Sequence, residues 1–225
     1  MHKLGKPCLN DLKPINPANC PPLDAAFFDR DTVQVARELL GCRLMCFSSD
    51  TDAWLSYRVV ETEAYTADDP ACHAYNRKKG RAEMLYSHPG TAYVYLIYGM
   101  YNCLNVVTES HGVAGAVLFR AVEPLFTPMG EVLNKTNGPG RLTRALDITK
   151  DRHNGLPLTS TESGLYLAQG QTISDENVVQ TTRIGITKAI DYPWRYYIQD
   201  SEWVSVKIPT DRPNKKAPKQ KQVGQ

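Results

Sequence analysis

The chain has 225 residues, 42% of them apolar, and its 26 Lys and Arg against 24 Asp and Glu give a formal net charge of +2 at pH 7. This length suits one domain with a sizeable core, and the balanced charge is not that of an intrinsically disordered protein. No apolar run reaches the roughly 18 residues of a membrane helix, so no membrane partner is expected. A net charge near zero also argues against a protein that grips nucleic acid by bulk electrostatics alone.

The two ends of the chain differ from the rest. Residues 1–23 are predicted to form an irregular Pro-rich arm, and residues 209–225 are predicted to form a disordered basic tail. The stretch 211–225 alone holds five basic residues and one acidic residue, which leaves 21 basic and 23 acidic residues elsewhere, a balance of −2. Residues 24–208 are expected to be one domain.

The cysteine pattern bears on compartment and cofactors. The N-terminus lacks the apolar segment of a secretory signal, which predicts an intracellular protein of the cytoplasm or nucleoid, or of the nucleus in a eukaryote. The six cysteines are then expected to be reduced. Cys42 and Cys46 are not followed by a second Cys or His pair at zinc-finger spacing. They are interpreted as core residues, and no metal or other cofactor is expected.

Hydrophobic periodicity predicts the elements in chain order. Asp31 should cap a helix that Gly41 ends, and period-two patterns at 42–47 and 53–65 then predict a hairpin. The later elements are strands 91–98, 101–108 and 113–124, a helix over 140–148, and short strands at 164–169, 182–187, 195–199 and 203–206. Short sequential strands with tight connections favour antiparallel pairing. The predicted fold class is therefore α+β, a single domain with an antiparallel sheet at its centre.

The strand segment RVVETEAY, residues 58–65, carries two acids. Alternation places Val59, Glu61, Glu63 and Tyr65 on one face. Carboxylates on an otherwise apolar strand are costly to bury unless they are paired or used. Two interpretations stay open: a strand end that emerges into solvent, or a carboxylate held against an aromatic wall, where burial raises its pKa and makes it a better base.

Five of the twelve tyrosines fall within sixteen residues: Tyr86, Tyr93, Tyr95, Tyr98 and Tyr101. Aromatic residues favour strands, so the cluster fits a well-packed hairpin. It also fits a stacking surface for nucleobases, above all for cationic ones. Tyr98, beside the Gly99-Met100 turn, is placed where a side chain could wedge between base pairs.

Several polar residues stand near these motifs. His73 is followed by a basic loop with Arg77, Lys78, Lys79 and Arg81. His73 and the basic loop can simply be solvated surface, but in the sequence they lie between the strand that carries the acids and the strands that carry the tyrosines. Asn105 and Arg120 occur inside apolar strands and need partners if they are buried. Arg120 is a natural partner for a strand carboxylate.

Together these runs resemble the 3-methyladenine (alkyladenine) DNA glycosylases. The matching segments are RVVETEAY, ACHAYN, PGTAYVYLIYGMYNCLNVV and AVLFRAVEP, and the resemblance covers roughly residues 24–206. It implies a single domain around a curved antiparallel sheet, with a protruding β-hairpin and peripheral helices. It implies hydrolysis of the N-glycosidic bond of alkylated purines such as 3-methyladenine and 7-methylguanine, and of some deaminated purines, in double-stranded DNA. A monomer without a lyase step is expected.

The resemblance also implies roles for individual residues. Glu63 is similar to the general base that activates water, Arg120 to the arginine that holds this water, and the Ile184 carbonyl to a third contact. The flipped base would lie among residues that match the family's pocket: Tyr65, His73, Tyr95 and Asn105. Tyr98 and Met100 match the residues that fill the gap in the duplex. Contacts to the DNA backbone are expected from exposed basic residues: Arg77, Lys78, Lys79, Arg81, Arg141 and Arg144.

Two other functions fit some of the same residues. Glu61 and Glu63 could act as an acid/base pair in O-glycoside hydrolysis, because side chains two residues apart on a strand are about 7 Å apart. The tyrosines could also serve a non-catalytic module that binds single-stranded nucleic acid.

Overall fold

The computed structural model describes residues 16–126 and 135–207. Within these ranges the chain forms eight strands: β1 (Arg43–Ser48), β2 (Ala53–Thr66), β3 (Ala92–Ile97), β4 (Tyr101–Val107), β5 (Gly115–Phe126), β6 (Leu165–Ala168), β7 (Val178–Thr181) and β8 (Arg195–Ile198). The α-helices of the same ranges are α1 (Ala25–Phe28), α2 (Thr32–Glu38), α3 (Pro139–Ala145) and α4 (Lys150–His153). The predicted basic tail and most of the predicted arm lie outside the described residues.

All eight strands belong to one curled antiparallel sheet, which confirms the α+β prediction. The main order is β3-β4-β5-β2-β1-β6, and β8 joins β7 to β2. Strand β2 is the centre of this arrangement because it is long enough to pair with three strands. One edge pairs with β5, while the other pairs first with β1 and then, at Glu61–Glu63, with β8.

The main core lies between the sheet and the helices. The Asp31 carboxylate accepts a hydrogen bond from the Gln34 N–H at 2.8 Å, so it caps α2 as predicted. Helix α2 packs on β2, where the Thr62 hydroxyl donates to the Ala36 carbonyl at 2.7 Å. Cys42 and Cys46 are buried in this core, as the sequence indicated.

A β-bulge changes which side chains of β2 share a face. The pairing of β2 with β5 shifts register between Val59 and Glu61 and again after Glu61. Val59 therefore packs in the main core together with Ala64, and the prediction that it shares the face of Glu61 and Glu63 is wrong. The bulge lets an apolar strand turn two acids away from the core without breaking its pairing.

The opposite face of the sheet is covered by the long segment between β2 and β3, residues 67–91, which we call the covering segment. This segment includes a 3₁₀ helix at Gly80–Tyr86, and its Cys72, Ala74 and Leu85 pack with residues of β3, β4 and β5 in a second apolar cluster. The β3–β4 hairpin extends beyond this cover. Its tip is therefore exposed while its base lies within the fold.

Two predicted strands are absent from the described fold. Residues 182–187 and 203–206 are irregular, because backbone N–H groups that would join a ladder donate instead to buried acids. The Ile184 N–H donates to Glu63 and the Ser205 N–H donates to Glu61. Strand β7 and the short helix α1 were not predicted. No helix in the described parts of the chain is both long and apolar enough to cross a bilayer.

We expect Gly41→Ala to lower the free energy of unfolding by about 3 kcal/mol. Gly41 has φ 85°, and an added Cβ would lie 1.9 Å from the Gln171 carbonyl oxygen. A left-handed residue costs roughly 1 kcal/mol and overpacking against backbone costs roughly 1–3 kcal/mol. Urea unfolding measures the loss. Gly80→Ala is the control, because Gly80 has φ 68° with no neighbouring atom within 4 Å. Equal losses in the two variants would contradict the close approach at Gly41.

Candidate functional site

A cleft of about 750 Å³ opens where the covering segment, the β3–β4 hairpin and the chain after β7 meet. Most of the residues singled out in the sequence line it: Tyr65, His73, Arg77, Tyr95, Tyr98, Asn105, Arg120 and Ile184. They come from four strands or their ends and from two irregular segments. The fold therefore brings together residues that are up to about 120 positions apart in sequence.

Glu63 lies beneath the floor of this cleft and is fully buried. Its Oε1 accepts a hydrogen bond from the Ile184 N–H at 2.8 Å and lies 3.2 Å from Nη1 of Arg120. Its Oε2 accepts a hydrogen bond from the Tyr65 hydroxyl at 2.8 Å. Ile184 thus contacts Glu63 through its N–H, whereas the family resemblance implies a role for its carbonyl. All three partners line the cleft, so they separate Glu63 from the open space.

The environment of Glu63 sets its basicity. Burial raises the pKa of Glu63 above its usual value, and this effect outweighs Arg120, the Ile184 N–H and the Tyr65 hydroxyl, which all lower the pKa. A carboxylate whose pKa moves toward neutrality accepts a proton more readily. The interpretation of Glu63 as a solvated rim residue is wrong, because the side chain is 0% exposed.

Glu61 is also fully buried, but its oxygens are already engaged. Its Oε1 accepts hydrogen bonds from Arg120 Nε at 3.2 Å, from Arg195 at 2.8 Å and from the Ser205 hydroxyl at 2.9 Å. Its Oε2 accepts the Ser205 N–H at 2.7 Å. Glu61 does not line the cleft. This environment does not favour the acid/base pair of an O-glycoside hydrolase.

Arg120 connects the two acids. Its Nε contacts Glu61 and its Nη1 contacts Glu63, both at 3.2 Å, while the side chain is 9% exposed. This confirms the expected pairing of Arg120 with a strand carboxylate. Arg195 and Ser205, which complete the cluster, were not singled out in the sequence. Arg195 is the first residue of β8, so it lacked the pattern that drew attention to Arg120, a charge in the middle of an apolar strand.

Aromatic side chains form one wall of the cleft. His73 Nδ1 lies 2.8 Å from the Tyr93 hydroxyl, and the His73 ring meets the Tyr95 ring edge-on at 4.7 Å. Tyr93 and Tyr95 share a strand face, with ring centroids 5.2 Å apart. Burial, followed by the charges of Arg81 and Arg77, lowers the pKa of His73, which favours the neutral imidazole.

Asn105 is held rigidly on the cleft wall. It is 3% exposed, and its Nδ2 donates to the carbonyl oxygens of Tyr93 at 3.0 Å and Cys103 at 3.5 Å. The two hydrogen bonds orient the amide. The side chain therefore occupies a fixed part of the cleft, which suits a residue that discriminates between bound groups by shape.

The hairpin tip carries an exposed apolar group at the cleft mouth. Tyr98 is 84% exposed and Met100 is 67% exposed. Tyr98 also has φ 53°, and Gly99, which follows it, has φ 69°. A bulky residue in the left-handed region is strained, and such strain is found at functional sites. The tip therefore exposes the aromatic ring of Tyr98 to solvent, although its backbone is strained and an exposed apolar side chain is unfavourable in water.

The residues predicted to contact the DNA backbone are exposed basic side chains in two regions. Arg77, Lys78, Lys79 and Arg81 lie in the segment that covers the sheet, and Arg81 lies 6.0 Å from the Tyr95 ring centroid. Arg141 and Arg144 are exposed on α3. Helix α3 packs on β4 close to the hairpin tip, where the Thr143 hydroxyl donates to the Asn102 carbonyl at 2.9 Å. No group of three or more His, Cys, Asp or Glu residues in the described ranges could hold a metal ion.

Comparison with known proteins places these residues in a family. A model of the methylpurine-DNA glycosylase (MPG) family matches residues 26–202. A relative from Salinibacter ruber is 45% identical over 207 residues, which cover 84% of this chain and 98% of the relative. One from Methanoculleus marisnigri is 44% identical over 195 residues, with 81% and 98% covered, and one from Herpetosiphon aurantiacus is 43% identical over 196 residues, with 81% and 88% covered. All three are provisionally named 3-methyladenine DNA glycosylases.

We expect His73 to titrate below the ordinary histidine pKa of about 6.5 and Arg81→Gln to raise this pKa, because the variant removes a nearby positive charge. A pH titration of the histidine resonances by NMR measures the shift, with His73→Gln to assign the signal. Arg144→Gln is the control, since Arg144 is an equally exposed arginine on α3. A His73 pKa that responds equally to both variants would contradict the geometry.

Proposed function

Because the chain belongs to the methylpurine-DNA glycosylase family, a hydrolase family that acts on alkylated bases in DNA, we propose that it is a monofunctional base-excision enzyme. It binds double-stranded DNA as a monomer, flips a damaged purine into the cleft and hydrolyses its N-glycosidic bond without a cofactor. Its substrates are alkylated purines such as 3-methyladenine and 7-methylguanine, and some deaminated purines. The observation that carries the proposal is the buried carboxylate of Glu63 at the base of an aromatic cleft.

The cleft suits a purine that has left the base stack. Extrusion of a base from a duplex costs a few kcal/mol, and the cost is smallest for damaged pairs. The rings of Tyr65, His73 and Tyr95 offer stacking surfaces that compensate for lost neighbours. N-alkylation makes a purine cationic, and aromatic faces attract cations. The fixed amide of Asn105 excludes purines that carry an extra exocyclic amine, as normal guanine does.

Glu63 supplies the base for hydrolysis. It takes a proton from a water molecule as the water oxygen bonds to the sugar C1′, and the C1′–N bond breaks with its electron pair leaving on the purine. Arg120, 3.2 Å from Glu63, holds this water and keeps Glu63 ionised between events. Since Glu63 is covered by Arg120, Tyr65 and Ile184, the substrate complex must open Oε2 to water. The Tyr65 hydroxyl turns its hydrogen away from Oε2 for this step, while the Tyr65 ring keeps its position.

The hairpin tip and the basic residues bind the DNA duplex around the flipped base. Tyr98 enters the gap that the flipped nucleotide leaves, and Met100 supports the neighbouring base pair, which keeps the extruded base from returning. The exposed arginines and lysines of the covering segment and of α3 contact phosphates. These contacts position the DNA without reading its sequence.

We expect Glu63→Gln to retain binding to damaged duplex DNA while base release falls by about a thousandfold, because the amide keeps the shape but cannot accept a proton at neutral pH. Chromatography of the bases released from methylated and from hypoxanthine-containing duplexes measures the loss and the substrate range. Glu162→Gln, which changes an exposed acid, is the control. Release at the wild-type rate from Glu63→Gln would refute the assignment. Binding of undamaged single strands without any base release from the wild type would instead favour the non-catalytic module.

We expect Tyr98→Gly to keep the free energy of unfolding within about 0.5 kcal/mol of the wild type, because relief of strain at φ 53° offsets the added freedom of glycine. Base release from duplex DNA should nevertheless fall by about tenfold, since the extruded base then has no competitor for its place in the stack. Release from single-stranded DNA should change less. Val113→Ser, an exposed apolar residue on another hairpin, is the control. Equal effects on duplex and single strand would contradict the wedge role.

A further inference from the structure

A buried ion pair lies beside the cleft and takes no part in the mechanism described above. Arg183 and Asp69 have side chains that are 0% exposed. Nη2 of Arg183 donates to Oδ1 of Asp69 at 3.0 Å, and Nη1 contacts Oδ2. The two residues are 114 positions apart in sequence, so the pair joins two segments that no strand pairing connects.

The pair contacts the strand that carries Glu63. Ala64 is the residue between Glu63 and Tyr65, and its carbonyl accepts a hydrogen bond from Nη1 of Arg183 at 2.9 Å. The Arg183 guanidinium also lies over two aromatic rings, 4.6 Å from the centroid of Tyr65 and 5.3 Å from that of Trp194. This stacking fixes the plane of the Tyr65 ring, whose hydroxyl donates to Glu63.

The pair also organises the two irregular segments of the cleft. Asp69 accepts the Ala71 N–H at 2.9 Å and so shapes the turn that leads to His73. Arg183 directly precedes Ile184, whose N–H donates to Glu63. Strand β2, the turn before His73 and the segment of Ile184 therefore meet at one guanidinium group.

The energetics favour a role other than stability. Charges taken out of water repay their desolvation only with excellent geometry, and apolar residues of similar volume are often as stable or more stable. Within the described residues, Nε of Arg183 is buried without a hydrogen-bond partner. An apolar pair would avoid this cost, but it could not donate to Ala64 or orient the face of Tyr65 by its charge.

We infer that Arg183, held by Asp69, is a positioning residue that fixes Tyr65 and Ile184 on the Glu63 carboxylate. This inference rests on the proposed role of Glu63 as the base. Arg183 touches neither DNA nor water in the reaction, and it acts through the two hydrogen bonds that cover Glu63. The titratable groups that face Glu63 come from β2, β3, β4, β5 and the segment after β7: Glu61, Tyr65, Tyr95, Cys103, Arg120 and Arg183.

The test replaces both charges by apolar groups in the double variant Arg183→Met/Asp69→Leu, which leaves the net charge around Glu63 unchanged. We expect a folded protein with a cooperative thermal transition whose single-turnover base release is about 10–100-fold slower, because small misplacements of reacting groups cost this much. The matched control is Arg58→Met/Glu123→Leu. This pair is likewise an Arg–carboxylate ion pair and involves β2, which it joins to β5, but neither residue lines the cleft. We expect the control to release bases at the wild-type rate.

A second measurement does not depend on activity. Carbon-detected NMR follows the titration of the Glu63 carboxyl, assigned with Glu63→Gln. The hydrogen bonds from Tyr65 and Ile184 favour the ionised carboxylate, so their misalignment in the double variant should raise the pKa of Glu63 further. The acid limb of the pH–rate profile should move to higher pH by the same amount. The control pair should leave both unchanged.

These results separate the inference from the proposed function. A folded double variant with wild-type rate, or with a slower rate but an unchanged Glu63 pKa, overturns the positioning role. If the double variant does not fold, the same two measurements on Arg183→Lys test the positioning role. Lysine keeps the positive charge, but it cannot make both guanidinium hydrogen bonds to Asp69 and has no planar group to stack on the rings. A wild-type protein that releases no base refutes the proposed function, whereas the shift in the Glu63 pKa still tests the positioning of its partners.

Discussion

The cleft depends on one arginine between two buried carboxylates. Each ion costs several kcal/mol to remove from water, so Glu61 and Glu63 can be buried together only if cations compensate for them. Arg120, from the neighbouring strand β5, contacts both. Arg195 reaches Glu61 from β8 on the other edge of β2. The position of β2 between two strands that each supply an arginine is therefore what permits an acidic floor beneath an aromatic cleft.

The same cluster gives the two acids different roles. Glu61 accepts hydrogen bonds from two arginines and from both donors of Ser205, so its two oxygens are held in place. Glu63 has one guanidinium and two neutral donors, and burial raises its pKa. Two chemically identical groups on one strand thus have different surroundings, because their hydrogen-bond donors differ. In the proposed mechanism, the carboxylate nearest the cleft is therefore the one that accepts a proton.

Much of the fold and of the site could be predicted from local pattern. The α2 cap, the β1–β2 hairpin and the protruding β3–β4 hairpin follow from side-chain periodicity and turn residues, which act over a few positions. The segments of Ile184 and Ser205 could not be predicted in this way. Their apolar alternation is typical of strands, but their N–H groups satisfy distant acids instead of a neighbouring ladder. The acid that accepts each N–H lies more than a hundred residues away, so the sequence around Ile184 or Ser205 carries no pattern that indicates it.

The sequence by itself determined which chemical groups the protein has and which family they match: two acids on a strand, a tyrosine-rich hairpin, and an arginine and an asparagine inside apolar runs. Only the tertiary structure decided which acid has both oxygens engaged by charged and backbone donors and which lies directly beneath the cleft. It also decided that the pair of Arg183 and Asp69 joins the segments around Glu63. The physical reason is that basicity and burial depend on donors and solvent exposure in three dimensions. A bulge of one residue in β2, together with contacts between distant segments, sets both.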